Sequence, residues 1–433
     1  MTSDTAPPAK PRASLWRRMM RHPLARIGPG FITGVADDDP SGIATYSQAG
    51  AQFGLNMLWT MPLAYPLMSA IQSICARIGR VTGKGLAANI KTVFPPVVLR
   101  GVVLLLLVAN TLNIAADVAA MGESAQLATG FDHHLMTVVL ALTSLALQVF
   151  VPYHRYVFFL RWLTLSLLAY FAVLFCVHVP WDQVAVRTLL PKFKLDGTAA
   201  TVIVGVFGTT ISPYLFFWQG SEEVEDLNAK PDKHPLVENP PEGPAELRRI
   251  RWDTWMGMLY SDVTAYFIIL ATAVTLNVAG ITDINTAAEA ATALRPLAGD
   301  FAFFLFALGI IGVGMIGVPV LAGSAGYALA EAMGWSWGLE RKAKDARGFY
   351  GVIIVSMLAG VALDFSPINP IKALFWSAVI NGVVAVPLMV VIILLASRKS
   401  VMGEFIASRS LIALGWIGVI VMGVAAVGML MPG

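Results

Sequence analysis

The chain has 433 residues, of which 57% are hydrophobic and only 13% charged, with a mean hydropathy of +0.70. A soluble chain of this length carries about 25% charged residues and divides into two or three domains. Half that charge leaves too little polar surface to cover them in water, which excludes a soluble enzyme, a nucleic-acid binder and a disordered protein. The net charge of +3 is unremarkable, but its distribution is not.

A hydrocarbon slab about 30 Å thick takes about 20 apolar residues per helical crossing. Apolar runs between charged or Pro/Gly-rich breaks predict eleven such spans, at 27–53, 56–78, 98–121, 135–152, 156–179, 199–219, 254–279, 300–330, 349–363, 371–396 and 409–431. Ahead of them lies a basic head, residues 1–26. It leads into GPGFITGVADDDPSG, whose prolines, glycines and aspartates are unlike the apolar region of a cleavable signal. Alternate connections, counted from the head, hold 25 of the 30 Lys and Arg residues. The opposite side has only Arg187, Lys192, Lys194, Arg295 and Lys372. By the positive-inside rule the N-terminus is cytoplasmic and the C-terminus outside. The longest hydrophilic stretch, 220–253, reads as a cytoplasmic loop with a short helix at its ELRRIR end. Its Glu222, Glu223, Glu225 and Asp226 read as the solvated start of that loop.

Two cysteines, Cys75 and Cys176, sit in separate apolar runs and read as small buried side chains, with no disulfide framework and no CxxC motif. His133, His134, His154, His178 and His234 lie in connections or near span ends, and their spacing makes no metal motif.

The most informative feature is a proline and a polar cluster in the middle of two spans. The first reads GPGFITGVADDDPSGIATYSQAG and the sixth VIVGVFGTTISPYLFFWQGSEE. Pro40 and Pro213 each remove a backbone donor, and Gly42 adds little to hold a helix together. Irregular backbone at membrane depth is tolerated only where it lines protein or a watery cavity. The breaks lie five spans apart, in blocks that begin on opposite sides of the membrane. That is the pattern of an inverted-repeat transporter with its substrate site between two discontinuous helices. Simple kinking does not account for Asp37, Asp38 and Asp39 in the same break. Each mid-membrane carboxylate costs roughly 2.5–3.5 kcal/mol, and no Lys or Arg lies nearby in sequence, so a cation is the simplest partner. Asp39, the carbonyls near Gly42 and Thr209, and the Ser212 hydroxyl offer oxygen alone, which suits hard divalent ions. No Met, His or Cys occupies either break, and small residues leave room for a partly hydrated Mg²⁺. Three consecutive helical aspartates fan over about 200°. Asp39, beside the proline, is the expected direct ligand, while Asp37 and Asp38 act through water or line an entrance.

These residues resemble the natural resistance-associated macrophage protein (NRAMP) family of divalent-metal transporters. The likeness is strongest in GPGFITGVADDDPSGIATYSQAGAQFG, in QSICARIGRVTGKGLA (residues 72–87) and in the sixth span. The family's first helix carries Asp-Pro-Gly-Asn and its sixth Met-Pro-His; Asp39-Pro40-Ser41-Gly42 and Ser212-Pro213-Tyr214 stand at those places. The resemblance implies metal contacts at Asp39, Gly42, Thr209 (through its carbonyl) and Ser212. It also implies an all-α, LeuT-like fold with helices 1 and 6 discontinuous. Residues 27–179 form its first five-helix repeat, 199–396 an inverted second repeat, and 409–431 an eleventh helix. Ser212 replaces a thioether that helps reject magnesium and calcium. Asn110 and Ala120 stand where acids are common, and Gln219 replaces a second histidine. This pattern resembles the NRAMP-related magnesium branch, whose members carry Mg²⁺ and Mn²⁺ without evident proton coupling.

Weaker candidates are Asp117 in the third span, for a relay or inner gate, and Asn381 in the tenth. Thr45, Tyr46 and Gln48 are placed to line the path past the break. The glycine-rich eighth span reads as close helix packing. The sequence thus predicts a monomeric inner-membrane importer of Mg²⁺ or Mn²⁺, surrounded by lipid, with no nucleic-acid partner. It has no resident cofactor, since the metal is its cargo. A Na⁺-coupled carrier of a small organic solute on the same fold, or a proton-coupled Mn²⁺/Fe²⁺ carrier, are the alternatives.

Overall fold

The computed structural model describes residues 28–151, 163–192, 196–230, 232–339 and 341–432. The basic head and the start of the predicted fifth span lie outside the described residues. Among the described residues the chain is helical throughout, without strands.

The first span is two helices, α1 (Pro29–Asp37) and α2 (Pro40–Phe53). Then follow α3 (Thr60–Thr82), a short connecting α4 (Leu86–Val93), α5 (Pro96–Thr129) and α6 (His133–Phe150). The fifth span is represented by α7 (Leu168–Val173), and α8 (Trp181–Leu189) lies in the connection after it. The sixth span is again two helices, α9 (Gly197–Thr210) and α10 (Pro213–Asn228). The long helices that follow are α11 (Gly243–Thr272), α12 (Ala302–Met333), α13 (Arg347–Asp364), α14 (Pro370–Ala396) and α15 (Arg409–Gly428). The predicted ninth span, short in sequence, forms the 18 residues of α13, enough for about 27 Å of helix.

Glycine sets how closely the broken helices pack. A Cβ at Gly34 would lie 2.2 Å from the backbone of Gly257, and one at Gly50 would lie 2.1 Å from the Thr272 hydroxyl. Both halves of the first span therefore press directly on α11. Asp253 of α11 secures the near end by accepting hydrogen bonds from the N–H groups of Gly28 (3.1 Å) and Gly30 (2.7 Å). These donors at the start of α1 have no intrahelical acceptor, so a carboxylate there also complements the positive end of the helix. On the other side, Gly314 and Gly317 of α12 meet the break itself. A Cβ at Gly317 would stand 2.9 Å from Asp39 Cβ, and one at Gly314 would stand 3.2 Å from Pro40 Cγ. The glycines of the eighth span serve close packing, as the sequence suggested.

The stretch from 220 corrects the sequence reading. It is not a loop at its start: α10 continues to Asn228, and α11 begins at Gly243. The acids there are paired rather than solvated. Fully buried Glu223 takes Arg249 at 2.6 Å, and Asp226 and Glu246 flank the buried Arg80 at 3.6 and 3.2 Å. Arg249 also reaches Glu246 at 2.9 Å, and the Tyr327 hydroxyl donates to Glu225 at 2.6 Å. Helical periodicity carries these residues onto faces opposed by cations, which a count of charges along the chain does not reveal. The cysteine reading is corrected too. Cys75 is buried, but Cys176 is exposed.

Candidate functional site

Both interruptions have the same local construction. In α1 the last residue gives way to Asp38 (φ −82°, ψ 64°) and then extended Asp39 (φ −77°, ψ 173°), with Pro40 opening α2. In the sixth span Ile211 (φ −108°, ψ 60°) and extended Ser212 (φ −78°, ψ 130°) precede Pro213, which opens α10. Each proline sits in the first turn of a new helix, where its missing N–H costs nothing and its fixed φ suits the helix. The prolines thus restart helices rather than kink them. Around Asp38 the Asp39 N–H donates to the Asp37 carbonyl at 3.0 Å, a tight three-residue turn.

Asp39 is the N-cap of α2 and is buried. Its Oδ1 accepts from the Gly42 N–H at 2.8 Å and the Ser41 hydroxyl at 2.6 Å. Its Oδ2 accepts from Asn113 Nδ2 of α5 at 2.9 Å and the Tyr214 hydroxyl of α10 at 3.2 Å. A carboxylate has about four lone-pair sites, so every one has a donor. Together with the positive end of α2, these donors favour the ionised form. Tyr214 Oη also lies 3.3 Å from the Ala36 carbonyl, and its single proton can serve only one of the two.

The other predicted ligands gather here in part. A Cβ at Gly42 would stand 3.3 Å from Thr209 Oγ1 and 3.6 Å from Asp39 Oδ1, so Gly42 faces both. The Ser41 and Thr209 hydroxyls are 3.4 Å apart. Ser212 joins through α9: its hydroxyl lies 2.6 Å from the Thr209 carbonyl and 3.0 Å from that of Gly208. The hydroxyl spends its proton on α9 and keeps its lone pairs. Asp117 is buried on α5, within electrostatic reach of Asp39 and near the Ser41 backbone N–H.

Asp37 and Asp38 turn away from Asp39 toward α11. The Ser261 hydroxyl lies 2.5 Å from Asp37 Oδ2 and 3.0 Å from Asp38 Oδ1, so one proton faces two carboxyl groups. Asp37 and Asp38 thus share one partner on α11 while Asp39 faces α5 and α10, and the turn at Asp38, not a helical fan, separates them. Of the predicted path residues, Tyr46 hydrogen-bonds Thr210 at 2.9 Å and ties α2 to α9, while Thr45 is buried. Gln48 lines a cavity of about 570 Å³ with Ala44, Gln52, Thr282 and Lys372, on the side away from the Arg80 cluster. That cavity reaches Ala44, one helical turn past the break. Asn381 is fully buried on α14 with neither amide atom hydrogen-bonded.

Sequence reasoning passed over Asn113 and Ser377. The Ser377 hydroxyl donates to Asn113 Oδ1 at 2.6 Å, so α14 orients the amide that holds Asp39. A signal existed: Asn110, Asn113 and Asp117 share one face of an otherwise apolar helix. Asn110 has a different duty, donating to the Leu321 carbonyl (2.9 Å) and Ser324 (2.7 Å) of α12. Ser261 was hidden because only the tertiary structure brings it to the break.

A membrane-spanning helical chain whose first and sixth crossings both break, beside a buried run of carboxyl groups, defines the LeuT-like class of discontinuous-helix membrane proteins. The chain belongs to the family described as natural resistance-associated macrophage protein-like, whose sequence profile matches residues 30–432. A relative from Acidiphilium cryptum, called divalent metal cation transporter MntH, is 26% identical over 430 residues, covering 92% of this chain and 88% of its own. Its namesake from Agrobacterium fabrum is also 26% identical, covering 98% and 89%. Among solved structures, a mutant form of an Eremococcus coleocola manganese transporter aligns with a TM-score of 0.74 at 16% identity, covering 96% of this chain and 87% of that one. Mhp1, a nucleobase-cation-symport-1 family transporter, aligns with a TM-score of 0.55 at 13% identity over 92% and 93%. At these identities the likeness concerns the fold alone.

Replacing Asn113 by alanine removes a donor to the buried Asp39 carboxylate, while the Ser377 hydroxyl falls back on the Leu374 carbonyl at 2.8 Å. The expected cost is about 1.5–3 kcal/mol, seen as a lower unfolding midpoint in detergent. An unchanged midpoint would show that Asn113 does not support Asp39.

Proposed function

We propose that this chain is a secondary transporter or uniporter that moves divalent cations, Mg²⁺ and Mn²⁺, into the cytoplasm without proton coupling. The observation that carries the reading is Asp39. It is a buried carboxylate at a helix break whose surroundings at Gly42, Thr209 and Ser212 supply oxygen alone. Oxygen ligands without thioether or imidazole favour hard ions over late transition metals. The relatives' printed name, divalent metal cation transporter, agrees with that substrate class.

In this reading Asp39 binds the ion directly, and the Thr209 carbonyl and Ser212 hydroxyl contribute lone pairs. Asp37 and Asp38 line a cation path on the α11 side, and Asp117 adds negative potential from α5. The Lys/Arg bias supports a cytoplasmic N-terminus. The cavity at Gln48 is then the outer vestibule, and the Arg80 cluster lies at the inner end. Access alternates as one helix bundle rocks against the other around Asp39 and Ser212. A divalent ion entering the cell gains about 4.6 kcal/mol per 100 mV of membrane potential, so no proton partner is required. In proteoliposomes, Mg²⁺ competes with Mn²⁺ for uptake without acidifying the lumen, and Asp39→Ala abolishes uptake while leaving expression intact. Indifference to Mg²⁺, or wild-type uptake by that variant, would sink the assignment.

Tyr214 is the gatekeeper of Asp39. With all four lone-pair sites engaged, an ion enters only when one donor leaves, and the 3.2 Å phenol bond is the longest of the four. Its proton has an alternative acceptor in the Ala36 carbonyl. Tyr214→Phe removes this competitor and is expected to tighten Mg²⁺ binding by up to about tenfold. Calorimetry showing equal or weaker binding would remove Tyr214 from this role.

Selectivity rests on the missing soft ligand. Ser212→Met combined with Gly42→Asn is expected to shift uptake from Mg²⁺ toward transition metals. The asparagine would have to ease the Thr209 hydroxyl aside from its 3.3 Å approach. An unchanged Mg²⁺/Mn²⁺ uptake ratio would count against the ligand assignment.

A further inference from the structure

The α5–α6 hairpin carries two adjacent histidines whose neighbour is more than two hundred residues away in sequence. His133 and His134 open α6, and Asp364 ends α13. One ligand atom from each of the three lies within 4.8 Å of the others. His134 Nδ1 is 2.9 Å from Asp364 Oδ2, while Asp364 Oδ1 is buried with no hydrogen-bond partner. The imidazole rings of His133 and His134 are 3.8 Å apart, and Phe365 stacks on His134 at 4.8 Å with an interplanar angle of 14°. From α5, Glu123 lies within electrostatic reach of His133.

We propose that His133, His134 and Asp364 form a second metal site, for a borderline divalent ion of the Zn²⁺ class, at the end of the molecule opposite the Arg80 cluster. Two imidazole nitrogens and one carboxylate oxygen, with water in a fourth position, are a recognised open zinc set. Around a tetrahedral Zn²⁺ the ligand atoms stand about 3.4 Å apart, so side-chain rotations of about an ångström close the set. The metal takes the place of the present hydrogen bond between His134 and Asp364. It also gives the unpartnered Asp364 oxygen a use that a histidine–aspartate pair alone does not.

The hairpin is stiff enough to hold such a site. Gly130 takes the left-handed turn at φ 78°, the Asp132 carboxylate caps α6 through the Leu135 N–H at 3.0 Å, and a Cβ at Gly122 would stand 1.9 Å from the Thr137 hydroxyl. The two sites differ in kind. Nitrogen ligands prefer Zn²⁺ to Mg²⁺, whereas the oxygen set at Asp39 does not reject Mg²⁺. A bound ion at His133 and His134 joins the start of α6 to the end of α13 and needs nothing from the helix breaks.

The test uses the full chain purified without an oligohistidine tag. Zn²⁺ binding is measured by equilibrium dialysis in excess Mg²⁺, with wild type, Asp39→Asn and a His133→Ala/His134→Ala double variant. We expect one Zn²⁺ per chain in wild type and in Asp39→Asn. The double variant should bind at least about tenfold more weakly while still taking up Mg²⁺ or Mn²⁺. X-ray absorption at the zinc edge should show imidazole scattering that the double variant lacks. Wild type that binds no Zn²⁺ under excess Mg²⁺, or a double variant that binds it as well as wild type, overturns the proposal. The wild-type arm decides even if a variant fails to fold. Because this site does not depend on Asp39, loss of Mg²⁺ transport with Zn²⁺ binding intact would count against the transport reading alone.

Discussion

The organising constraint is one carboxyl group, that of Asp39, held at a helix break inside a membrane protein by hydrogen bonds alone. Asp39 has no lysine or arginine among the donors that reach it; Ser41, Gly42, Asn113 and Tyr214 do so instead, from α2, α5 and α10. Four hydrogen bonds and the positive end of a helix offset part of the cost of burying a carboxylate that has no counter-charge. Much of the surrounding structure follows from that. The first span must break so that Asp39 can cap α2. Once broken, α1 and α2 must be held by something other than a continuous helix. Close glycine contacts with α11 and α12 and the Asp253 cap on α1 supply that hold.

The sixth span repeats the device with different chemistry. Ser212 occupies the same backbone place as Asp39, ahead of a helix-opening proline, but its hydroxyl turns back to the carbonyls of α9. One break therefore presents a charge and the other presents dipoles. The pair is asymmetric in electrostatics although the local backbone is nearly the same. Tyr214, one residue beyond Pro213, is where the two breaks meet, through its hydroxyl between Asp39 and Ala36.

The class of fold, the two breaks and the place of Asp39 at the first of them were legible because they rest on local rules. Proline position, apolar run length and the cost of a buried carboxylate can all be read along a line. What was not legible depends on distant partners. Asn113 was one polar residue among several until Ser377 and Asp39 appeared on either side of it. Glu223 and Asp226 looked solvated because the chain alone does not place Arg249 and Arg80 against them. Pro40 and Pro213 were read as breaks in the two spans, and the structure adds that each opens a new helix. Asn381 was singled out for its polarity and is indeed buried, but its amide makes no hydrogen bond that links it to Asp39.

The Arg80–Asp226–Glu246–Arg249–Glu223 cluster joins α3, α10 and α11 at one end of the molecule, and both Arg80 and Glu223 are buried. Charges out of water gain little net free energy from pairing, because the lost hydration nearly offsets the attraction. The same cancellation works in reverse. If that end parts and water enters, each separated ion regains its hydration shell as it loses its partner. A greasy plug of equal area has no such compensation, since wetting it is a pure loss. A charged seam can therefore be shut and open at nearly equal free energy, so a bound ion's small preference suffices to tip it.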